Sequence, residues 1–180
     1  MNAMNTHYPD PTGIEIPTRH TLAVIVDNEP GVLARIAGLF SGRGYNIESL
    51  TVSETEHEKH QSRITVVTAG TDATLAQIKA QLERLIPVHR VLDLTIQGNA
   101  IERELVLVKV EGKGDHRVEA MRLASALGAR TVDATLTSFI FELTGTTEEV
   151  ERFIGLMVTV GLVEVSRTGV AAMSRGAKGM

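Results

Sequence analysis

The chain has 180 residues, 43% hydrophobic and 22% charged, with no cysteine and a formal net charge of −4. That length allows one medium domain or two small ones with modest cores. The missing thiols exclude disulfides and thiolate chemistry, and the acidic balance argues against nucleic acid, which needs a concentrated basic face.

Residues 1–18 carry Pro9, Pro11 and Pro17 with little apolar periodicity and read as a flexible extension. Residues 21–27 form a short apolar run with Val24 and Val26 on one face, the pattern of a strand. Asn28 then offers a capping acceptor and Pro30 presets a first helical turn. Val32, Leu33, Ile36, Leu39 and Phe40 recur at helical spacing until about Arg43, where Gly42 and Gly44 end the helix. A second strand is expected over 46–52, with Leu50 and Val52 on one face. A polar hairpin leads to a strand at 63–69. Thr71 or Asp72 caps a second helix with Leu75, Ile78, Leu82 and Leu85 on its apolar face, and 88–96 is a fourth strand.

Gln97, Gly98 and Asn99 make a polar break, after which the order repeats. The spacing predicts a strand at 104–110, a helix marked by Val118, Met121 and Ala124, and strands at 131–136 and 139–143. A capping box of Thr146 and Glu149 opens a helix with Val150, Phe153, Ile154 and Met157 on one face, and Val163 and Val165 mark a last strand. The expected fold class is α+β: two ferredoxin-like βαββαβ domains in tandem, over 19–97 and 98–180, each an antiparallel sheet with its helices on one face. Cores of this size are marginal alone. The open sheet faces and edge strands therefore invite homodimerisation.

The turn at residues 28–32 carries the chemistry of the first unit. It aims the unpaired amides of a helix N-terminus beyond the end of a strand, a setting that favours a carboxylate. Gly31 has no side chain to fend off a ligand. Asn28 and Asn46 each combine a donor with acceptors, which suits an ammonium and a carboxylate together. A small amino acid meets that description. Spacing alone leaves a plainer reading open, in which Asn28 only caps the helix, Gly31 only permits close packing and Asn46 is an ordinary turn residue after Gly44.

No reactive constellation accompanies this turn. His57 and His60 flank Glu58 and Lys59 in a polar hairpin, unlike the i, i+4 pair of a zinc helix. Gly112 and Gly114 sit between strand and helix as in a dinucleotide loop, but position 117 is Arg where a third glycine belongs. Asp115, Asp133, Glu148, Glu149 and Glu151 lack metal-loop spacing, and the glutamates suit a helix start. No catalytic centre, metal or cofactor is expected. No apolar run approaches the ~20 residues that span a bilayer, and the start lacks a basic region followed by an apolar one. A soluble cytoplasmic protein without a membrane partner is therefore expected.

The string Gly38-Leu39-Phe40-Ser41, followed after one residue by Arg43-Gly44-Tyr45-Asn46-Ile47-Glu48-Ser49-Leu50, resembles the N-terminal ACT domain of the small, regulatory subunit of acetolactate synthase, also called acetohydroxyacid synthase. It is closer to that family than to ACT domains in general. Glu102-Arg103-Glu104-Leu105, Val108-Lys109-Val110, Arg167-Thr168-Gly169 and Ser174-Arg175-Gly176 are also similar to the family, so the likeness covers about residues 19–176. The extension and the short 112–115 turn depart from its pattern.

The resemblance implies a non-catalytic chain that activates a large subunit and makes it sensitive to feedback by branched-chain amino acids. The large subunit would hold thiamine diphosphate, magnesium and FAD, and this chain none of them. Two copies would pair through their ACT sheets, with valine as the default effector and leucine or isoleucine left open. On the matching positions, Asn28, Gly31, Val32 and Leu33 would grip the amino-acid backbone, with Glu29 and Pro30 as pocket neighbours and Asn46 and Ile47 supplied by the other chain. The ACT half would carry the activating contact, and the C-terminal half would add to the valine response. A free-standing amino-acid sensor is the alternative from another class, although no helix-turn-helix for a DNA-binding role is evident. A self-sufficient enzyme is the other.

Overall fold

Alternation builds the first sheet. In β1 (Thr18–Asp27) Leu22, Val24 and Val26 are buried on one side, and in β3 (Gln61–Gly70) Ile64 and Val66 are buried on the same side, as the two-residue period of a strand requires. That face is covered by α1 (Val32–Ser41) and α2 (Asp72–Leu82), whose Ile36, Leu39, Phe40, Leu75, Ile78 and Leu82 complete one core. With β2 (Ser49–Glu56) and β4 (Val88–Asp93) the strand order is β2-β3-β1-β4, antiparallel throughout. This computed structural model describes residues 17–56, 60–96, 100–177 and 179–180. Most of the expected extension, His57, Glu58 and Lys59 of the hairpin, and the Gln97-Gly98-Asn99 break lie outside the described residues.

The second unit repeats the plan with β5 (Ala100–Glu111), α3 (Asp115–Ala126), β6 (Arg130–Ala134), β7 (Ser138–Gly145), α4 (Thr147–Val158) and β8 (Leu162–Arg167). Its order is β6-β7-β5-β8, the same ferredoxin-like arrangement. Val106, Val108, Val110, Phe139, Phe141 and Leu143 face Ala120, Ala124, Val150, Phe153 and Met157 in its core. The chain is thus α+β, two βαββαβ units in succession. No helix among the described residues is long and apolar enough to cross a membrane.

Several local expectations shift, each for a physical reason. Pro30 stands before α1 rather than in its first turn, because Gly31 takes a left-handed backbone (φ 89) and becomes the N-cap with no side-chain hydrogen bond. Asn28 is therefore not the cap. Asn46 and Ile47 lie in the approach to β2, not within it, and the strand begins at Ser49. β4 ends at Asp93 instead of 96, because the Asp93 carboxylate accepts from the amides of Thr95 (2.9 Å) and Ile96 (3.3 Å) and turns the chain. Leu85 falls beyond α2 yet still packs against the first core. In α3 the inward face is Ala120 and Ala124, while Val118 and Met121 are 67% and 48% exposed. Small residues bring this helix close to the sheet, and Arg117 lies 3.9 Å over the Phe139 ring. Leu136 sits in the turn after β6, and Val163 faces outward on β8.

The largest departure is a ninth strand. β9 (Ala171–Ser174) pairs antiparallel with the start of β5, Ala100 opposite Ser174 and Arg103 opposite Ala171. Val170 and Ala172 pack with Ala23, Val67 and Leu94 on the side of the first sheet away from its helices. That face, expected to stand open, is covered in part by the chain's own tail.

Candidate functional site

The β1–α1 turn is exposed from Asn28 to Gly31, while Val32 anchors it in the core. Three hydrogen bonds hold its shoulders. The Asp27 amide donates to Pro87 O (2.9 Å), the Asn28 amide to His60 O (2.7 Å), and the Arg35 amide to Gly31 O (3.0 Å). Helix geometry leaves the first amides without intrahelical acceptors, so those of Gly31, Leu33 and Ala34 are directed out of the helix end. A Cβ built on Gly31 meets nothing within 4 Å. Glycine is required here by the left-handed backbone, not by crowding, and the space beside its Cα is open.

The flanking chemistry is charged and exposed. The Asp27 carboxylate lies 2.6 Å from His89 Nε2, and Arg35 Nη1 donates to the Glu29 carboxylate at 3.5 Å. Leu33 is 42% exposed and supplies an apolar edge, whereas the buried Val32 side chain presents only its backbone to the turn. Asp27 and His89 were not singled out from the sequence. A strand-end aspartate and a histidine sixty-two positions later carry no joint periodicity, and only the β1–β4 pairing brings them together.

Asn46 and Ile47 lie elsewhere in the same chain. Asn46 O accepts from Thr68 Oγ1 at 2.6 Å near the far end of β3, whereas the 28–33 turn lies beside Gln61 at its start, opposite Asp27. At about 3.3 Å per residue the two groups are roughly 20 Å apart along the strand. Ile47 packs partly against the first core and Asn46 is exposed. The eight expected residues therefore form one local cluster, residues 28–33, and a separate pair at the other end of the sheet.

Two other polar arrangements stand out. His20, buried, sits between Asp93 (Nδ1 to Oδ2, 2.7 Å) and Thr18 (Nε2 to Oγ1, 2.9 Å). The order resembles a nucleophile relay, but Asp93 also terminates β4, and the row ties β1 to β4. A cavity of about 390 Å³ between the units is lined by Arg19, Glu48, Glu104, Thr147, Arg167 and Gly169, among others. Its two arginines are already neutralised, Arg19 by Glu48 and Glu102 and Arg167 by Glu104 and Glu151. The turn, whose first amides have no intrahelical acceptor, is the better candidate. Among the described residues no group of three or more acidic, histidine or cysteine side chains is placed to hold a metal.

Comparison with known proteins places these features. Residues 22–90 match the family model described as an AHAS small subunit-like ACT domain, and residues 103–176 match the model for the small subunit of acetolactate synthase. The chain is 46% identical over 160 residues to a probable acetolactate synthase small subunit of Archaeoglobus fulgidus, covering 89% of this chain and 99% of that one. It is 42% identical over 161 residues to the acetolactate synthase isozyme 3 small subunit of Escherichia coli, covering 89% and 98%. The crystal structure of the acetolactate synthase small subunit from Thermotoga maritima superposes with a TM-score of 0.80 at 34% identity, over 89% of this chain and 99% of that one.

Proposed function

From the premise that the chain belongs to the acetolactate synthase small-subunit family, we propose that it is a cytoplasmic regulatory subunit of that enzyme, activating a catalytic large subunit and conferring feedback inhibition by valine. The large subunit would condense 2-oxo acids with thiamine diphosphate, a divalent metal such as magnesium, and FAD. This chain would bind none of these and would carry no catalytic residue. The observation that supports the effector site most directly is the uncapped start of α1, with open space beside the Cα of Gly31.

Under this reading a valine carboxylate meets the amides of Gly31, Leu33 and Ala34, where the helix dipole favours negative charge. The Asn28 side chain, exposed beside them, helps to orient it. Leu33 borders the branched side chain. The remaining partners come from a second copy. β2 is an edge strand of the first sheet, and antiparallel pairing of β2 with its counterpart would set the start of one strand beside the end of the other. Asn46 and Ile47 lead into that start, while the β2–β3 hairpin at the other end reaches the 28–33 turn through His60 O. A two-fold dimer would therefore carry the Asn46 and Ile47 of each chain toward the partner's turn, which their separation within one chain forbids.

Regulation then follows from linkage. Valine must favour the less active arrangement of the complex, and the large subunit must alter valine affinity by the same factor. A coupling of ~1–3 kcal/mol is enough for useful inhibition. The test is acetolactate formation by the cognate large subunit, with and without this chain, as valine is titrated against wild type and Asn28→Ala. Wild type is expected to raise activity and then lose the gain to valine. Asn28→Ala should keep the activation and need about tenfold more valine, the effect of one hydrogen bond to a charged group. If the chain neither activates nor sensitises the large subunit, the assignment fails and a free-standing amino-acid sensor takes its place.

A further inference from the structure

One short segment is fastened to both units. Arg167, at the end of β8, grips Glu104, a side chain only 2% exposed, and Glu151 on α4. Thr168 exchanges hydrogen bonds with Leu105, its amide donating to Leu105 O (3.0 Å) and its hydroxyl accepting from the Leu105 amide (3.1 Å). The chain then leaves the second unit and crosses the helix-free face of the first. Gly169 adopts φ 81, and a Cβ there would stand 2.8 Å from both Ser49 Oγ and Thr51 Oγ1. The Val170 amide donates to Ser49 Oγ (3.0 Å), and Arg63 donates to Ala172 O (2.6 Å). Burial lowers the Arg63 pKa, in keeping with a guanidinium drawn under the segment. The chain then returns as β9 to the start of β5.

The footprint of this segment lies along the approaches to both parts of the proposed effector site. Ser49 and Thr51 open β2 just after Ile47, and Arg63 on β3 pairs with Ile25, just before the 28–33 turn. The grip on the first sheet is light: two small apolar side chains, Val170 and Ala172, with two hydrogen bonds, and Thr51 Oγ1 is buried without a partner. A light grip responds to small movements of β2, whereas Arg167 and β9 hold both ends firmly to the second unit.

We propose that residues 167–174 are a strap that transmits the state of the first sheet to the second unit, so that the valine response of the enzyme complex depends on the strap being seated. The proposal rests on the valine-binding reading above and assigns it a route. It makes Gly169 the pivot, since any side chain there would strain a left-handed backbone and crowd the Ser49 and Thr51 hydroxyls.

The test uses the full chain with its large subunit and two variants, Gly169→Val, which lifts the strap by collision, and Val170→Asn, which weakens its apolar seat without touching the pivot. Three quantities are measured: amide hydrogen exchange over 170–174, valine binding to the chain alone by calorimetry, and the valine concentration for half-inhibition of the complex. Faster exchange in the strap, valine binding within about threefold of wild type and a half-inhibition concentration raised about tenfold are expected. Should Gly169→Val fail to fold, Val170→Asn decides. A released strap with an unchanged half-inhibition concentration overturns the proposal and leaves the effector site standing, and so does a strap still protected in both variants. Absence of valine binding in wild type instead overturns the effector reading, and the strap's role with it.

Discussion

Gly31 shows how a single backbone angle decides which groups a helix end exposes. Its left-handed conformation costs other residues ~1–2 kcal/mol, and it leaves the first α1 amides without a side-chain cap at a point where Asn28 would otherwise have been the natural cap. The glycine was legible in the sequence as a position without a side chain, but its φ was not, because φ depends on how β1 and α1 are joined. Glu104 and Arg167 were legible only as parts of family-like strings. Their pairing appears when β5 meets β8, and it leaves a buried carboxylate dependent on one partly exposed guanidinium. That dependence raises the Arg167 pKa, chiefly through its hydrogen bond to Glu104. Arg167→Ala should cost about 2–3 kcal/mol in urea unfolding, below the full penalty for breaking a dry pair because a third of the arginine side chain remains in water. Replacing Glu104 by Leu in the same variant should recover most of the loss, since no charge is then stranded.

At the scale of elements, periodicity and capping chemistry served best where they agreed. Thr146 and Glu149 form the expected capping box, each satisfying the other's backbone amide, and Val150, Phe153 and Met157 are buried behind it. Thr146→Ala should lower stability by ~1 kcal/mol in denaturant unfolding. Hydrogen bonds from the Thr146 backbone and side chain hold Glu149 below the ordinary value of 4.5. A depressed carboxylate stabilises the fold above its unfolded pKa and loses that contribution as pH falls through its folded value. Only the share of the Thr146→Ala cost that the lost hydroxyl carries through Glu149 should depend on pH, complete at neutral pH and fading below pH 4.5. The backbone amide at position 146 still binds the carboxylate in the variant. The helix α3 was harder to read. Val118, Met121 and Ala124 keep helical spacing, yet alanines face the core, because close packing on the sheet favours small residues over large ones. Strand β9 escaped altogether. Its residues Ala171 to Ser174 are too few and too small to show alternation, and the strand exists because β5 extends far enough to accept it.

At the scale of the whole molecule, the two units share a third apolar cluster made from Ala23, Val67 and Leu94 of the first and Val170 and Ala172 from the tail. Arg19 adds a polar tie, bonding to Glu102 and Thr147 across the boundary. The halves are therefore not independent, although each has its own core. A first half ending at residue 96 should unfold at lower urea than the same unit in the full chain, by about 2–3 kcal/mol for the lost burial of the Val170 and Ala172 contacts. The comparison is urea unfolding of that half against the full chain, followed by first-unit amide exchange. Equal stability would show that the tail contributes nothing to the first sheet.

By itself the sequence determined the two βαββαβ units, the strand–turn–helix at residues 27–41 and the family to which the chain belongs. Hydrophobic period, caps and glycine placement are local properties, written within a few residues of where they act. Only the tertiary structure decided that Asn46 and Ile47 lie roughly 20 Å from the 28–33 turn in one chain, that Asp27 meets His89, and that residues 169–172 cross the first sheet. Those facts join positions far apart along the chain, and their only cause is the pairing of strands, which no local pattern encodes.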